Sequence, residues 1–449
     1  MSGGEAPWRG RRLHFVGVGG AGLSAYARAA RELGAEVSGS DSASSPYLER
    51  LAADGVLQAA VGHGSENVPA GKDVEVVYSS AVPEENVERA EARRRGLRER
   101  PRAEILSELS ALRRTIAVAG THGKTTTAAM ILHALLGAGL DPGWLIGGAP
   151  GAGLANAHWS AGEWLVIEAD ESDRSMLSLE VEIALLTSAE LDHHAAFASL
   201  AELHGAFAEF LARATRAAVV RQLPELLALA GGVRGELVPY GAGEYELTRG
   251  GARFAWRELT VQLRVPGAHN VANARGALEV AELAGAAPAA AVEALSRFTG
   301  AGRRFELLGE SERGALIYDD YAHHPTEVAA TLAAARTLEP ERLLAVFQPH
   351  LFSRTALLAR EFGRALAGAD VACLLEVYPA RERASDYPGV SGLLLAERTA
   401  DASAGRPVYW LPRFADAEGV LRGLLRRGDL CLVMGAGDVD ALAHRLVAR

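Results

Sequence analysis

The stretch Ala119-Gly-Thr-His-Gly-Lys-Thr-Thr-Thr127 decides the fold. Thr115–Ala119 before it reads as a buried strand, and Thr125–Leu136 after it reads as a helix. A glycine-rich turn between the two aims backbone N–H groups and a helix N-terminus at an anion. Lys124 is one of only two lysines, the other being Lys72, while 44 of the 46 basic residues are arginine. A compact ammonium on a flexible stem fits between phosphate oxygens where a planar guanidinium is too wide. A lysine kept at this place in an arginine-rich chain therefore points to phosphate chemistry. The usual loop is Gly-x-x-x-x-Gly-Lys-[Ser/Thr]. Here its first position is Val118, and the glycines present are Gly120 and Gly123. Gly120, Thr121, His122, Gly123, Lys124, Thr125 and Thr126 are expected to cradle a nucleoside triphosphate.

Working outward, strand and helix signals alternate on both sides. Leu13–Val18, a helix over about 21–33, Glu36–Gly39, Val74–Tyr78 and a charged helix over 85–95 predict βαβ units on a parallel sheet. A second block opens at Thr115 and includes Trp164–Glu168, Ile183–Thr187 and Ala217–Val220, followed by a hairpin-like section over 252–265 and helices to about Phe298. A third block runs through Ala315–Tyr318, a helix over 325–336, Leu343–Phe347, a helix over about 354–366, Val371–Leu375 and Leu430–Met434. Boundaries fall near residues 110 and 300. Of the 449 residues 49% are hydrophobic and 23% charged, the balance of a globular protein with ample core. A net charge of −10 argues against a general nucleic-acid or membrane-surface binder. Cys373 and Cys431 sit in apolar runs and read as buried thiols, which with the absence of a signal-peptide core or a long apolar span predicts a cytoplasmic protein.

Polar clusters recur where strands end, the position at which open α/β sheets bind ligands. Gly17-Val-Gly19-Gly20-Ala-Gly22 follows the first strand, and Asp41 ends the next strand, nineteen residues after Gly22. This is a dinucleotide fingerprint, although a UDP-sugar presents the same pyrophosphate to such a loop. Glu168-Ala-Asp-Glu-Ser-Asp173 closes a strand about 44 residues after Lys124, where Glu168 is placed to ligate magnesium and Asp170, Glu171 and Asp173 to meet substrate or to support the ligand from behind. Asp192-His193-His194 follows the next strand, and His193 could add an imidazole to a second metal. Zinc is disfavoured because no cysteine accompanies the pair. Asn270 and Asn273 lie three apart at a helix start, as capping groups or ligands, and Gly302-Arg303-Arg304-Phe305 offers guanidinium groups to phosphate. Asp319-Asp320-Tyr321-Ala-His323-His324-Pro325 and Gln348-Pro-His350-Leu-Phe-Ser-Arg354 close two further strands.

Taken together, the motifs from His14-Phe-Val-Gly-Val-Gly-Gly to Gly435-Ala-Gly-Asp438 resemble the Mur ligases of peptidoglycan synthesis over nearly the whole chain. The carriers are Gly-Thr-His-Gly-Lys-Thr-Thr-Thr, Glu-Ala-Asp-Glu-Ser-Asp, His-Asn-x-x-Asn, Gly-x-x-Arg-Arg-Phe, Asp-Asp-Tyr-Ala-His-His-Pro and Gln-Pro-His, in family order. The resemblance implies an α/β protein of three domains. A Rossmann-like UDP-sugar domain would span 1–110, a phosphate-loop ATPase-like domain with a mixed sheet 111–300, and a Rossmann-like amino-acid domain 301–449. It implies an ATP- and Mg2+-dependent ligase that joins L-alanine to UDP-N-acetylmuramate through an acyl phosphate, a cytoplasmic step of cell wall synthesis, in a monomer or a dimer. Carried over by motif, Lys124 would bind the β/γ-phosphates, Thr125 and Glu168 one magnesium, and His193 a second. Asn270 would meet the adenine with Asn273 beside it, Arg304 the phosphates, and Asp319 or Asp320 the ribose or domain closure. Tyr321, His324, His350 and Arg354 would surround the amino acid and the acyl phosphate. Gly19, Gly20, Gly22, Asp41, Ser79 and Ser80 would hold the uridine diphosphate.

The family members of later steps carry a second, carbamylated lysine in the central domain. Lys124 stands alone there, which favours the alanine-adding type. Two positions depart from the family pattern. Ala195 stands where an acid often follows Asp-His-x, and Leu351 where an arginine commonly follows Gln-Pro-His. The nearest alternative is a murein-peptide recycling ligase that attaches a preformed peptide to the same UDP-sugar. An NAD-dependent oxidoreductase would leave Lys124 and Glu168 without a role, and a nucleotide-binding regulator would tolerate loss of Lys124.

Overall fold

The computed structural model describes residues 6–192, 196–241 and 243–448. It contains two compact units, one of residues 1–241 with 273–294 and one of 242–272 with 295–449.

The first unit holds two sheets. In the five-stranded parallel sheet the order is Ala60–Val61, Glu36–Asp41, Arg12–Val16, Val74–Tyr78, Arg98–Pro101. Strand order reverses beside Arg12–Val16, so the turn after that strand opens into the crevice where such sheets take ligands. Leu13, Phe15, Val16, Val76 and Val77 are buried on the two faces of this sheet, as expected for parallel strands covered on both sides. The helix Ala21–Glu32 starts directly after the glycine turn, and its buried Leu23, Ala27 and Ala30 pack into the same core.

The second sheet of this unit runs Glu236–Tyr240, Ala217–Arg221, Ile183–Leu186, Arg114–Ala119, Trp164–Glu168, Gly143–Leu145, Ala157–His158. All neighbours are parallel except the last pair, which makes the sheet mixed. Arg114–Ala119 is central, and its Ile116, Ala117, Val118 and Ala119 have no exposed surface. The helix Lys124–Gly137 that follows is apolar nearly all round, with Ala128, Met130, Ile131, Leu132 and Leu135 fully buried. Burying each leucine-sized side chain contributes about 1.5–3 kcal/mol, so the element that presents Lys124 is anchored along its whole length.

The second unit holds an antiparallel three-stranded sheet, Tyr245–Thr248, Gly251–Trp256 and Leu259–Leu263. Its larger sheet runs Glu306–Glu310, Leu316–Asp320, Asp429–Met434, Arg342–Phe347, Val371–Leu374, Val408–Trp410, with only the first strand antiparallel. Helices Pro325–Arg336, Phe352–Leu366 and Gly392–Ala402 cover one face around Phe347, Phe362 and Leu366. Cys373 and Cys431 are free and buried on the opposite face, where burial raises both thiol pKa values, that of Cys373 to about 12. No helix among the described residues is long and apolar enough to cross a membrane.

Most strands absent from the sequence reading are very short or lie at a sheet edge. Ala60–Val61, Gly143–Leu145, Ala157–His158 and Val408–Trp410 have only two or three residues, and Arg98–Pro101 and Glu236–Tyr240 are polar edge strands containing proline. An edge strand pairs on one side only and leaves a weak pattern.

Candidate functional site

The phosphate loop is the centre of the first unit. Gly120 has φ +132°, and a Cβ there would overlap Thr187 Oγ1 and stand 2.9 Å from the Ser188 nitrogen. Gly123 has φ +83°, with Asn273 Oδ1 2.9 Å from where its Cβ would be. Both positions demand glycine for conformation and for space. The loop is held from the next strand end: the N–H of His122 donates to Ser188 Oγ at 2.8 Å, and Thr121 Oγ1 donates to the Glu190 carbonyl at 2.8 Å. Thr187 and Ser188 carry no motif of their own, and sequence reasoning missed them.

Lys124 Nζ donates to the Gly120 carbonyl at 2.6 Å and to Glu171 Oε1 at 3.0 Å, and Glu171 is itself 1% exposed. Burial works to discharge this ammonium, but Glu171, Asp170 and Glu168 outweigh it, and its pKa lies above the ordinary lysine value. One residue further on, Thr125 Oγ1 donates to Glu168 Oε1 at 3.0 Å, and the Gly147 N–H donates to Glu168 Oε2 at 2.8 Å. A hydroxyl and a carboxylate converging beside a phosphate loop form an all-oxygen donor pair of the kind magnesium prefers. His193 lies outside the described residues.

The six-residue run Glu168–Asp173 is thus divided. Glu168 faces Thr125 and Glu171 faces Lys124, while Asp170 and Asp173 both hold Arg102. Arg102 Nη2 donates to Asp170 Oδ2 at 2.9 Å, and its Nε donates to Asp173. The guanidinium pulls the Asp173 pKa down against the upward push of burial. Arg102 Nη1 lies 2.7 Å from where a Cβ on Gly22 would stand, so this guanidinium reaches the N-terminus of Ala21–Glu32. Arg102 was missed in the sequence. A signal existed, since a cation at the first position of a helix (Arg102–Ala111) opposes the helix dipole and calls for another partner.

The N-terminal glycine turn is closed by an acid. Asp41 Oδ2 accepts the Gly19 N–H at 2.7 Å, and Ser45 Oγ donates to the Gly19 carbonyl at 2.9 Å. Gly20 precedes the helix in extended backbone, and a methyl group on its Cα would meet no atom closer than 3.8 Å. Ser79 begins the turn after Val74–Tyr78, its N–H on the Val16 carbonyl at 3.1 Å, with Ser80 next to it and exposed. Beneath this turn lies a buried network: Glu88 accepts from Ser40 Oγ at 2.7 Å and Asn67 Nδ2 at 3.0 Å, and contacts His14 Nε2 at 2.8 Å and His63 Nδ1 at 3.1 Å.

In the second unit, the end of Leu316–Asp320 and the end of Arg342–Phe347 bring their polar residues together. Asp319 Oδ2 accepts from Arg303 Nε at 2.9 Å. Asp320 accepts the N–H groups of Ala322 at 2.7 Å and Phe305 at 2.8 Å. Burial raises the Asp320 pKa to about 6, against the opposing pull of Arg304 and the two N–H groups. Arg303 and Phe305 both adopt left-handed φ, +54° and +53°, bracketing Arg304, and the guanidinium groups of Arg303 and Arg304 both lie over the Tyr321 ring. Such backbone at non-glycine residues is held by its surroundings and clusters at working sites. His324 caps Pro325–Arg336 by accepting the Thr326 N–H, and His323 takes the place between Tyr321 and His350, ring to ring at 5.4 and 6.1 Å. His350 stacks on Tyr378 and meets Arg354 Nη1 at 3.2 Å. Leu351 has φ +70° at the start of Phe352–Leu366. Asn270 Nδ2 donates to the Pro266 carbonyl at 2.7 Å, tying the first turn of the helix Ala268–Leu283 to the chain that enters it.

A phosphate loop with its lysine, an oxygen pair beside it and a second glycine turn on a neighbouring sheet define a nucleotide-binding α/β protein of the phosphate-loop class. Three family models match the chain in succession. The Mur ligase family catalytic domain matches residues 12–114, the Mur ligase middle domain 118–281, and the Mur ligase glutamate ligase domain 303–437. The chain belongs to the Mur ligase family. It is 42% identical to the UDP-N-acetylmuramate–L-alanine ligase of Rubrobacter xylanophilus, covering 98% of this chain and 100% of that one. It is 40% identical to the enzyme of the same name from Mycobacterium sp. (strain JLS), over 98% and 95%. Among solved structures it is similar to the UDP-N-acetylmuramate-alanine ligase of Thermotoga maritima, with TM-score 0.83 at 27% identity over 97% and 98% of the two chains. A murein peptide ligase from Psychrobacter arcticus gives TM-score 0.72 at 26% identity over 97% and 98%.

Proposed function

We propose that this protein is an ATP-dependent ligase that joins L-alanine to the carboxylate of UDP-N-acetylmuramate, forming ADP and phosphate, in cytoplasmic peptidoglycan precursor synthesis. The observation that carries the reading is the loop Gly120–Thr126 with Lys124 and the Thr125–Glu168 pair beside it, in a chain 40% or more identical to alanine-adding relatives over nearly its whole length.

In this reading residues 1–110 hold the UDP-sugar, 111–300 ATP and 301–449 the amino acid. Gly19, Gly20, Gly22, Asp41, Ser79 and Ser80 position the uridine diphosphate. Lys124 leaves Glu171 for the β/γ-phosphates. Thr125 and Glu168 hold a magnesium ion, with His193 serving a second; when bound, the ions neutralise charge on the phosphates. The sugar's carboxylate oxygen attacks the γ-phosphorus and ADP leaves. The amine of L-alanine then attacks the acyl carbon, and phosphate leaves with the oxygen it received. Phosphoryl transfer asks the protein mainly for positioning and charge neutralisation. Asn270 and Asn273 serve the nucleotide, Arg304 the phosphates, Asp319 and Asp320 the ribose or domain closure. Tyr321, His324, His350 and Arg354 surround the amino acid and the acyl phosphate.

The test is phosphate release with UDP-N-acetylmuramate present and the acceptor varied. L-Alanine is expected to exceed glycine, serine and a preformed tripeptide in kcat/KM. Preference for the tripeptide would transfer the chain to the recycling class.

A further inference from the structure

Tyr47 is the second residue of the helix Pro46–Ala53, on the N-terminal sheet, and its hydroxyl donates to the Gly147 carbonyl at 3.1 Å. The N–H of the same Gly147 donates to Glu168 Oε2 at 2.8 Å, while Thr125 holds Oε1 at 3.0 Å. Gly147 lies against the carboxylate so closely that a Cβ there would stand 3.0 Å from both oxygens. The terminal torsion of a glutamate is broad, so these two donors set how the carboxylate faces Thr125, and the residue that carries one of them is held through its carbonyl by Tyr47. The other end of this connection is the glycine turn. Ser45, the cap of the same helix, accepts the Leu48 N–H at 3.2 Å and donates to the Gly19 carbonyl at 2.9 Å. One helical turn therefore touches both the first glycine loop and, through its carbonyl, the residue whose N–H orients Glu168.

We infer that Tyr47 is a positioning residue that couples ligand binding on the Gly17–Gly22 loop to metal affinity at Glu168. The inference rests on the reading of Glu168 as a metal ligand. An anion settling on the loop moves or stiffens Gly19, Ser45 carries this to the helix start, and Tyr47 passes it to Gly147 and the carboxylate. Linkage makes the effect reciprocal: metal–nucleotide binding changes affinity for the UDP-sugar by the same factor.

The experiment uses Mn2+ as the probe. Its affinity for the full-length protein with a non-hydrolysable ATP analogue is measured by electron paramagnetic resonance, with and without UDP-N-acetylmuramate. Tyr47→Phe removes the hydroxyl and its bond to Gly147 and keeps the ring. It is expected to weaken Mn2+ binding about two- to tenfold and to reduce the effect of the UDP-sugar on it. Metal-free nucleotide affinity and melting temperature are expected to stay as in the parent. Should Tyr47→Phe not fold, Ser45→Ala, which cuts the contact to the Gly19 carbonyl, stands in: it is expected to reduce the effect of the UDP-sugar on Mn2+ affinity, and a parental effect would overturn the coupling. Glu168→Gln separates the two levels: if it leaves Mn2+ affinity unchanged, the metal-ligand reading fails. If it weakens Mn2+ while Tyr47→Phe does not, or if the UDP-sugar leaves parental Mn2+ affinity unchanged, the coupling is overturned and the ligand reading stands.

Discussion

The two glycine loops of the first unit, 17–22 and 120–124, are written in one grammar and finished with opposite charge. Each follows a buried parallel strand and opens a helix. The first is closed by a carboxylate, Asp41 on the Gly19 N–H; the second by an ammonium, Lys124 on the Gly120 carbonyl and Glu171. An acid at the mouth of a loop suits a ligand that brings hydroxyl donors beside its phosphates. An ammonium and an oxygen pair suit a terminal phosphate that sheds charge as it transfers. The first loop takes its positive charge from elsewhere, since Arg102 reaches Gly22 from a different helix. A glycine turn therefore announces an anion, and the residues that close it decide which one.

The comparison can be broken most severely at Lys124. Lys124→Ala is expected to lower phosphate release by about a thousandfold or more, the scale of a lost transition-state donor, while calorimetry finds UDP-sugar affinity retained. Lys124→Arg is expected to fail almost as badly, because the guanidinium does not match the point charge; near-parental turnover by that variant would remove the rationale for the lysine.

Strong acid should undo the Glu88 network of the first sheet. Burial alone would raise the Glu88 pKa, but hydrogen bonds from His14, Asn67 and Ser40 outweigh it and hold it at about 2, below the usual 4.5. A depressed carboxylate pKa contributes stability above the unfolded value and loses it as pH falls through the folded one. The contribution is therefore full above pH 4.5 and fades toward pH 2, on the order of 3 kcal/mol in all. Urea denaturation followed across that range should show the loss, and Glu88→Gln should abolish this part of the slope. Asp320 has the opposite sign. With its pKa raised from 3.8 to about 6, its contribution falls as pH rises through that interval.

Glycine substitutions give a smaller and sharper contrast. Gly120→Ala should cost about 2 kcal/mol or more, because φ +132° and the overlap with Thr187 are both unacceptable to a side chain. Gly20→Ala, in extended backbone and open space, should leave the melting temperature within about two degrees of the parent. Equal melting temperatures for the two variants would show that the loops are not held differently. The gentlest probe is Asp41→Asn, which keeps an acceptor but removes its charge. It is expected to weaken UDP-sugar binding about tenfold or less, with nucleotide affinity unchanged by titration calorimetry.

Much of this was legible in the sequence where pattern and burial coincide. Val74–Tyr78, Trp164–Glu168 and Pro325–Arg336 run as the sequence predicts, because apolar inner strands and an alanine-rich, proline-started helix state their structure directly. The glycine loops and the acids of Glu168–Asp173 were legible as types, since few residues serve phosphate and metal. What each acid faces was not. The split of Glu168 to Thr125, Glu171 to Lys124 and Asp170 and Asp173 to Arg102 depends on a helix start about seventy residues upstream. No local periodicity encodes such a pairing. For the same reason the pair His323-His324 could not be resolved from spacing. Capping geometry alone turns His324 to the helix and leaves His323 in the ring row.

The salt link between Lys124 and Glu171 has one more consequence, in reactivity. A ligase that makes an acyl phosphate makes an acylating agent next to its own nucleotide site, and any neutral amine nearby is a competing acceptor. Before nucleotide binds, Glu171 favours the protonated lysine amine, which has no lone pair to offer, and the phosphate oxygens to which Lys124 is proposed to move are anions that favour the same state. With arginine in 44 of the 46 basic positions, the chain offers only one other lysine side chain, Lys72, as a competing amine.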